Sequence, residues 1–367
     1  MTRPTFLNVD ANALRHNMAC VKSSIKNSEI VAMVKANAYG HGLTWTAAEL
    51  EGHVDYLGVA CLDEAVALQK NGIKTRCLLV EGVYNADEMR LAHHTGCSMV
   101  LHQIEQLDLL KQLVPTQPQD IWVKINTGMN RLGFHPQQFQ YVIDALSQLS
   151  FVNQPITVMT HFSDADEVLS PITERQIKLF NEITKGVSVR KSLANSAGII
   201  QWPTSHEDVV RPGIMLYGVS PFANVAGEHH GLIPVMSLHS KLIAVRSCQR
   251  GDKIGYGGEY TCPEAMPVGI VAIGYGDGYP HHAINGTPVL VNGHRVPLVG
   301  SVSMDMLCVD LRSQPFSKIG DPVLLWGPGL PVEEIAAHSG TIPYELLCHM
   351  TARVPRQNSV LNLARVK

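Results

Sequence analysis

The stretch VAMVKANAYGHG (31–42) passes from an unbroken apolar run into a lysine and then into small, aromatic and glycine residues. A strand apolar at consecutive positions is buried on both faces, which is the mark of a parallel sheet covered by helices. Seven more runs of this kind follow: YLGVA (56–60), RCLLVEG (76–82), SMVLH (98–102), IWVKI (121–125), ITVMTHF (156–162), KSLANS (191–196) and VVRPGIMLYG (209–218). Helix-periodic segments such as CLDEAVALQKNG and TERQIKLFNEITKG separate them, several closed by a glycine that suits a helix C-terminus. The spacings each leave room for a crossover helix. Eight such units predict a closed (β/α)8 TIM-like barrel. A doubly wound open sheet is the alternative, weakened because no dinucleotide GxGxxG follows the first strand.

The texture changes after Gly231. Short alternating runs punctuated by Gly, Pro and Asp (VGIVAIGYGDGYP, TPVLVNGHRVPLVG, MLCVDLRS, DPVLLWGPG) predict a predominantly β-strand domain. The expected division is a barrel over 1–233 and a β-rich domain over 234–367, with the first few residues free to pair with the C-terminal part.

The 367 residues suffice for two domains, and 45% hydrophobic against 17% charged residues supply a large core. A net charge of -3 with scattered Lys and Arg excludes a nucleic-acid-binding surface. The eight cysteines show no CxxC spacing and no disulfide-scaffold density, as expected of a reduced compartment. His281–His282 has no partner at metal-ligand spacing, so no metal site is expected. No run approaches the ~18 apolar residues of a membrane span. MTRPTFLNVDANALRHNM has no apolar signal core, so the expectation is a cytoplasmic protein without membrane association.

Barrels carry chemistry at the C-terminal ends of their strands. Those ends present Lys35, Glu81, His102, Lys124, His161, Asn195–Ser196 and Arg211. Any one of them reads most simply as a solvated strand cap; together, on one rim, they point to an active site. An amine rising from an apolar wall among other cations is a candidate nucleophile toward aldehydes. The aldehyde cofactor that uses such an amine is pyridoxal 5′-phosphate (PLP), which also needs a phosphate cradle. Ser196 and RPG (211–213) fall where barrels hold phosphate, after the seventh and eighth strands, and Tyr39 is placed to add a hydroxyl.

VKANAYGHG resembles the cofactor-lysine motif of the alanine racemase family, PLP enzymes built from a barrel and a β domain. The likeness continues through WVKINTGMNRLG (122–133), THF (160–162), NSAG (195–198), VVRPGIMLYG (209–218), GYGGEY (255–260), GYGDGYP (274–280), SMDM (303–306) and YELLCHMTARVPR (344–356). It implies PLP-dependent interconversion of L- and D-alanine, serving peptidoglycan synthesis or D-alanine catabolism. Lys35 would bind the cofactor covalently and act as base on one face of the substrate, with Tyr256 as base on the other. In the family that tyrosine comes from the partner subunit of a head-to-tail homodimer. Arg211 would face the pyridine nitrogen, with His161 linking it towards Tyr256. Arg131 would lie near the cofactor and the substrate carboxylate, and Met304 would offer that carboxylate its backbone N–H. Tyr39, Ser196, Gly213, Ile214 and Tyr344 match the phosphate-binding set, Tyr275 lines the substrate side, and Lys124 matches a lysine that is carbamylated in many members. The family usually reads K-x-D-T-G where this chain has Asn126, and often has arginine where it has Ser301. A serine or broad-specificity racemase, a PLP-dependent decarboxylase of the same architecture and a non-catalytic PLP carrier protein are the rival readings. A decarboxylase needs no second base at Tyr256, and a carrier lacks the β domain.

Overall fold

The computed structural model describes residues 3–359. It divides into two compact units: Met18–Leu216, and the described parts of Met1–Asn17 and Tyr217–Lys367. Strand β1 (Phe6–Asp10) opens the chain and belongs to the second unit.

The unit Met18–Leu216 holds an eight-stranded parallel sheet. Its strands are β2 (Glu29–Met33), β3 (Tyr56–Val59), β4 (Arg76–Leu79), β5 (Ser98–Leu101), β6 (Ile121–Lys124), β7 (Thr157–Met159), β8 (Arg190–Ser192) and β9 (Val209–Val210). They run in the order β8-β7-β6-β5-β4-β3-β2-β9, with every neighbouring pair parallel. The two ends of the sheet meet where Ser192 Oγ donates to Val209 O at 2.9 Å and Arg211 N to Ala194 O at 2.8 Å. This is the TIM-like arrangement that the run spacing predicts. Val31, Met33, Leu78, Val100, Trp122 and Met159 share one buried cluster, so the centre is a packed core rather than a channel. The last two runs are strand for only three and two residues. Pro212 has no N–H to continue a ladder, and the chain turns there into a short 3-10 segment, Ile214–Tyr217.

The second unit is predominantly strand, as the short runs after Gly231 predict. Its elements are β10 (Met236–Cys248), β11 (Lys253–Ile254), β12 (Tyr260–Thr261), β13 (Met266–Val271), β14 (Pro288–Val291), β15 (His294–Pro297), β16 (Leu307–Asp310), β17 (Pro322–Trp326) and β18 (Arg356–Ser359). The long β10 organises them, pairing antiparallel with β1, β13 and β17. β1 in turn pairs parallel with β18, Leu7 opposite Arg356. Two short helices, Val332–His338 and Pro343–Cys348, complete the unit. Among the described residues no helix is long and apolar enough to cross a membrane.

Candidate active site

The apolar run that begins at Val31 ends as strand at Met33, and Lys35 stands just beyond it. The next residues do something that their composition does not announce. Ala36 (φ 54°, ψ 52°), Asn37 (54°, 42°), Ala38 (55°, 53°) and Tyr39 (φ 51°) form a left-handed helical turn, closed by Gly40 at φ 81°. Each L-residue in that conformation costs about 1–2 kcal/mol, the asparagine least among these four. Compensation is visible: Ala38 N donates to Val34 O at 2.7 Å, and Asn37 Oδ1 accepts from Leu43 N at 2.8 Å. Glu64 contributes most directly, one carboxylate oxygen accepting from Ala36 N at 2.7 Å and the other from Ala60 N at 2.9 Å.

The turn brings Tyr39 against the loop that follows the neighbouring strand β9. A Cβ on Gly213 would lie 2.7 Å from the Tyr39 hydroxyl, so only glycine leaves that oxygen its place. Ser196 Oγ accepts from Gly213 N at 2.9 Å and from Met215 N at 3.3 Å, and Ile214 is buried between them. Two hydroxyls and two backbone N–H groups thus converge around one glycine.

Beside this cradle lies a set of cations short of counter-charge. Lys124, the last residue of β6, is buried, and its pKa is lowered to about 8 by burial first and then by Arg211, Arg131 and Lys35. Arg211 is buried among neutral acceptors, donating to Ser192 Oγ at 2.7 Å, Thr160 O at 2.6 Å and Leu193 O at 3.2 Å. Burial brings its pKa down to about 10, which still leaves the guanidinium charged at neutral pH. His161 is driven well below the usual histidine range by burial and by Arg211, Lys124, Arg131 and Lys35, so its imidazole is neutral. Lys35 Nζ has one carboxylate near it, Glu81 Oε1 at 3.7 Å. Such a rim attracts a dianionic phosphate and a carboxylate and repels small cations.

Asn126 sits between Lys124 and Arg131, and its departure from aspartate has a local account. Its Oδ1 accepts from Gly128 N and Asn130 N, both at 3.0 Å, while its Nδ2 donates to Asn130 Oδ1 at 2.8 Å. Aspartate can accept those two bonds, and would keep the third only with the Asn130 amide turned to present its Nδ2.

Four of the expected site residues belong to the second unit: Tyr256, Tyr275, Met304 and Tyr344. Tyr256 begins a 3-10 turn flanked by Gly255, Gly257 and Gly258, all at positive φ, and its side chain is 77% exposed. Ser301 Oγ donates to Tyr256 O at 3.2 Å, which gives the serine a role in holding that turn. Tyr275 and Met304 are also exposed, on neighbouring loops. Motif reading did not single out Glu64, although an acidic residue three places after a helix-starting position is a known signal for a carboxylate that folds back on backbone N–H groups.

Comparison with known proteins accounts for both units. The family model for the alanine racemase N-terminal domain matches residues 9–221, and that for the C-terminal domain matches residues 235–358. An alanine racemase of Nitrosococcus oceani is 49% identical over 95% of this chain and 97% of its own length. One from Legionella pneumophila is 47% identical over 96% and 99%. Among solved structures, the biosynthetic alanine racemase of Pseudomonas aeruginosa superposes with a TM-score of 0.93 at 41% identity, covering 98% of this chain and all of that one. The enzyme from Acinetobacter baumannii gives 0.93 at 40% identity.

Proposed function

Since this chain belongs to the alanine racemase family and interconverts L- and D-alanine, we propose that it does so with PLP and two bases, Lys35 and Tyr256 of the partner subunit. The observation that carries the proposal is the pairing of Lys35 with the Tyr39–Ser196–Gly213 cradle on one barrel rim. The residues present fit the cofactor. The hydroxyls of Tyr39 and Ser196, the N–H groups of Gly213 and Ile214, and Tyr344 would hold its phosphate, while Lys35 would hold its aldehyde carbon. When bound, PLP draws electrons from the alanine Cα and makes its proton removable.

Racemisation then requires a base on each face of that carbon. Lys35 takes or returns the proton on one side, and the hydroxyl of Tyr256 of the partner subunit does so on the other. Arg211 stays charged among its neutral partners; beside the cofactor's pyridine nitrogen it would keep that nitrogen unprotonated and hold back side reactions. The neutral imidazole of His161 can accept a hydrogen bond and pass the influence of Arg211 towards Tyr256. Arg131, the N–H of Met304 and Tyr275 receive the substrate carboxylate and crowd its side chain. Lys124, with a pKa of about 8, offers enough neutral amine to add CO2. Its carbamate would place a negative charge among Arg131 and Arg211. The unit is a homodimer with shared sites in the cytoplasm, supplying D-alanine to the cell wall or drawing on it for catabolism.

Subunit mixing tests the shared site. Lys35→Ala and Tyr256→Phe are each expected to be inactive as pure dimers. After exchange, half the dimers are mixed and each carries one intact site, so roughly a quarter of wild-type activity should return. No recovery, with exchange verified by mass, would overturn the assignment of Tyr256 across the interface.

A further inference from the structure

We propose that Arg3 is a positioning residue for substrate binding, aiming the backbone N–H of Met304 from a distance of some three hundred residues in sequence. The inference rests on the reading that Tyr275 and Met304 meet the substrate.

The Met304 N–H makes no hydrogen bond among the described residues, and its direction is set by the peptide to which it belongs. In a trans peptide the N–H points opposite to the preceding carbonyl. That carbonyl, Ser303 O, accepts from Tyr275 N at 3.0 Å, and Met304 O accepts from Gly276 N at 2.9 Å. The Tyr275–Asp277 turn therefore dictates where the Met304 N–H points. The approach is so close that a Cβ on Gly274 would collide with Ser303 O and Met304 O.

One guanidinium holds the turn itself. Arg3 Nη1 donates to Asp277 Oδ1 at 2.7 Å, and Nη2 reaches Asp277 Oδ2, Ala272 O and Asp305 O, each at 3.0 Å. Asp277 is fully buried and also accepts from Gly274 N at 3.1 Å. Arg3 thus ties together the start of the Tyr275 loop, its end and the residue after Met304. Arg353 supports the same pair of loops more loosely, with Nε 3.5 Å from Asp277 Oδ1 and Nη2 on Asp305. No other side chain among the described residues bonds all three points. Lysine in place of Arg3 keeps the charge but cannot reproduce a planar fork with two carbonyl contacts beside it. All of these groups lie within the second unit, while Lys35 and the cradle belong to the other.

The test is steady-state kinetics in both directions on the holoenzyme with Arg3→Ala, Arg3→Lys and Tyr275→Ala, alongside cofactor absorbance and thermal unfolding. Arg3→Ala should raise KM for both alanine enantiomers about tenfold with kcat within about twofold, the pattern of lost substrate binding. Arg3→Lys should fall between it and wild type, and cofactor absorbance should not change. An unchanged KM with a lower unfolding temperature would reduce Arg3 to a structural residue and overturn the proposal, as would a fall in kcat at constant KM. If Arg3→Ala does not fold, Arg3→Lys carries the decision by the same KM criterion. If Tyr275→Ala raises KM and the Arg3 variants do not, only the clamp is wrong. If none of them changes KM, the placing of Tyr275 and Met304 at the substrate fails as well.

Discussion

The left-handed turn after Lys35 yields a prediction in which one substitution has opposite signs at two sites. Ala36 and Ala48 are both exposed alanines in helical backbone, the first left-handed and the second within the right-handed helix Leu43–Leu50. Alanine to glycine at Ala36 removes a conformational penalty of about 1–2 kcal/mol. It adds back about 0.5–1 kcal/mol of extra backbone entropy lost on folding. The net expectation is a stabilisation of about 0.5–1 kcal/mol. At Ala48 there is no strain to relieve, and the same change should cost about 1 kcal/mol. For a unit of this size 1 kcal/mol moves the unfolding midpoint by about 2–4 °C, so the two variants should part by roughly 3–8 °C in opposite directions from wild type. Circular dichroism melts of protein stripped of its cofactor keep binding out of the comparison. Equal losses at both positions would refute the reasoning, because the turn would then carry no strain for glycine to release.

Two further outcomes follow from the same rim. Gly213→Ala puts a methyl group 2.7 Å from the Tyr39 hydroxyl, so that hydroxyl must retreat; PLP affinity by absorbance titration should fall about tenfold, which corresponds to ~1.4 kcal/mol. With its amine unmodified, in CO2-free buffer, Lys124 supplies a pH dependence: the unfolded chain keeps its proton to ~10.4, the folded chain only to about 8. Unfolded protein therefore binds more protons across that window, and stability must rise as pH is raised through it, by about 3 kcal/mol in all. Below pH 8 the penalty of the buried charge is fully present. Urea midpoints against pH should show this rise for wild type and lose it in Lys124→Met; parallel curves would remove Lys124 as the cause.

The barrel was legible because its strands are buried on both faces and so read as unbroken apolar runs, with polar groups beginning where strands end. Lys35, Lys124, His161 and Arg211 stood out as charges or imidazoles appended to such runs. The handedness of residues 36–39 did not, since small and aromatic residues after a strand mark a loop and neither alanine nor tyrosine signals left-handed backbone. Glu64 was hidden for a related reason: an acidic residue in the first turn of a helix already has a routine explanation in the helix dipole. The Arg3–Asp277 pair, 274 residues apart, leaves no local pattern at all. Asn126 and Ser301 stand apart from the family's usual residues, and only the hydrogen bonds each makes explain why they are tolerated.

Strand β1 has a consequence for the order in which the molecule can be made. It is translated well ahead of its partners, which are β10, starting at Met236, and β18, starting at Arg356. At ~5–20 residues per second, Phe6–Asp10 leaves the ribosome roughly 20–70 s before the strand that completes its pairing exists. The unit Met18–Leu216 can form during that wait, since none of its sheet pairings lies outside it. A segment that emerges long before its partners is therefore among the last to be fixed, and Arg3, just ahead of it, takes hold of Asp277 and Asp305 only once those residues have been made.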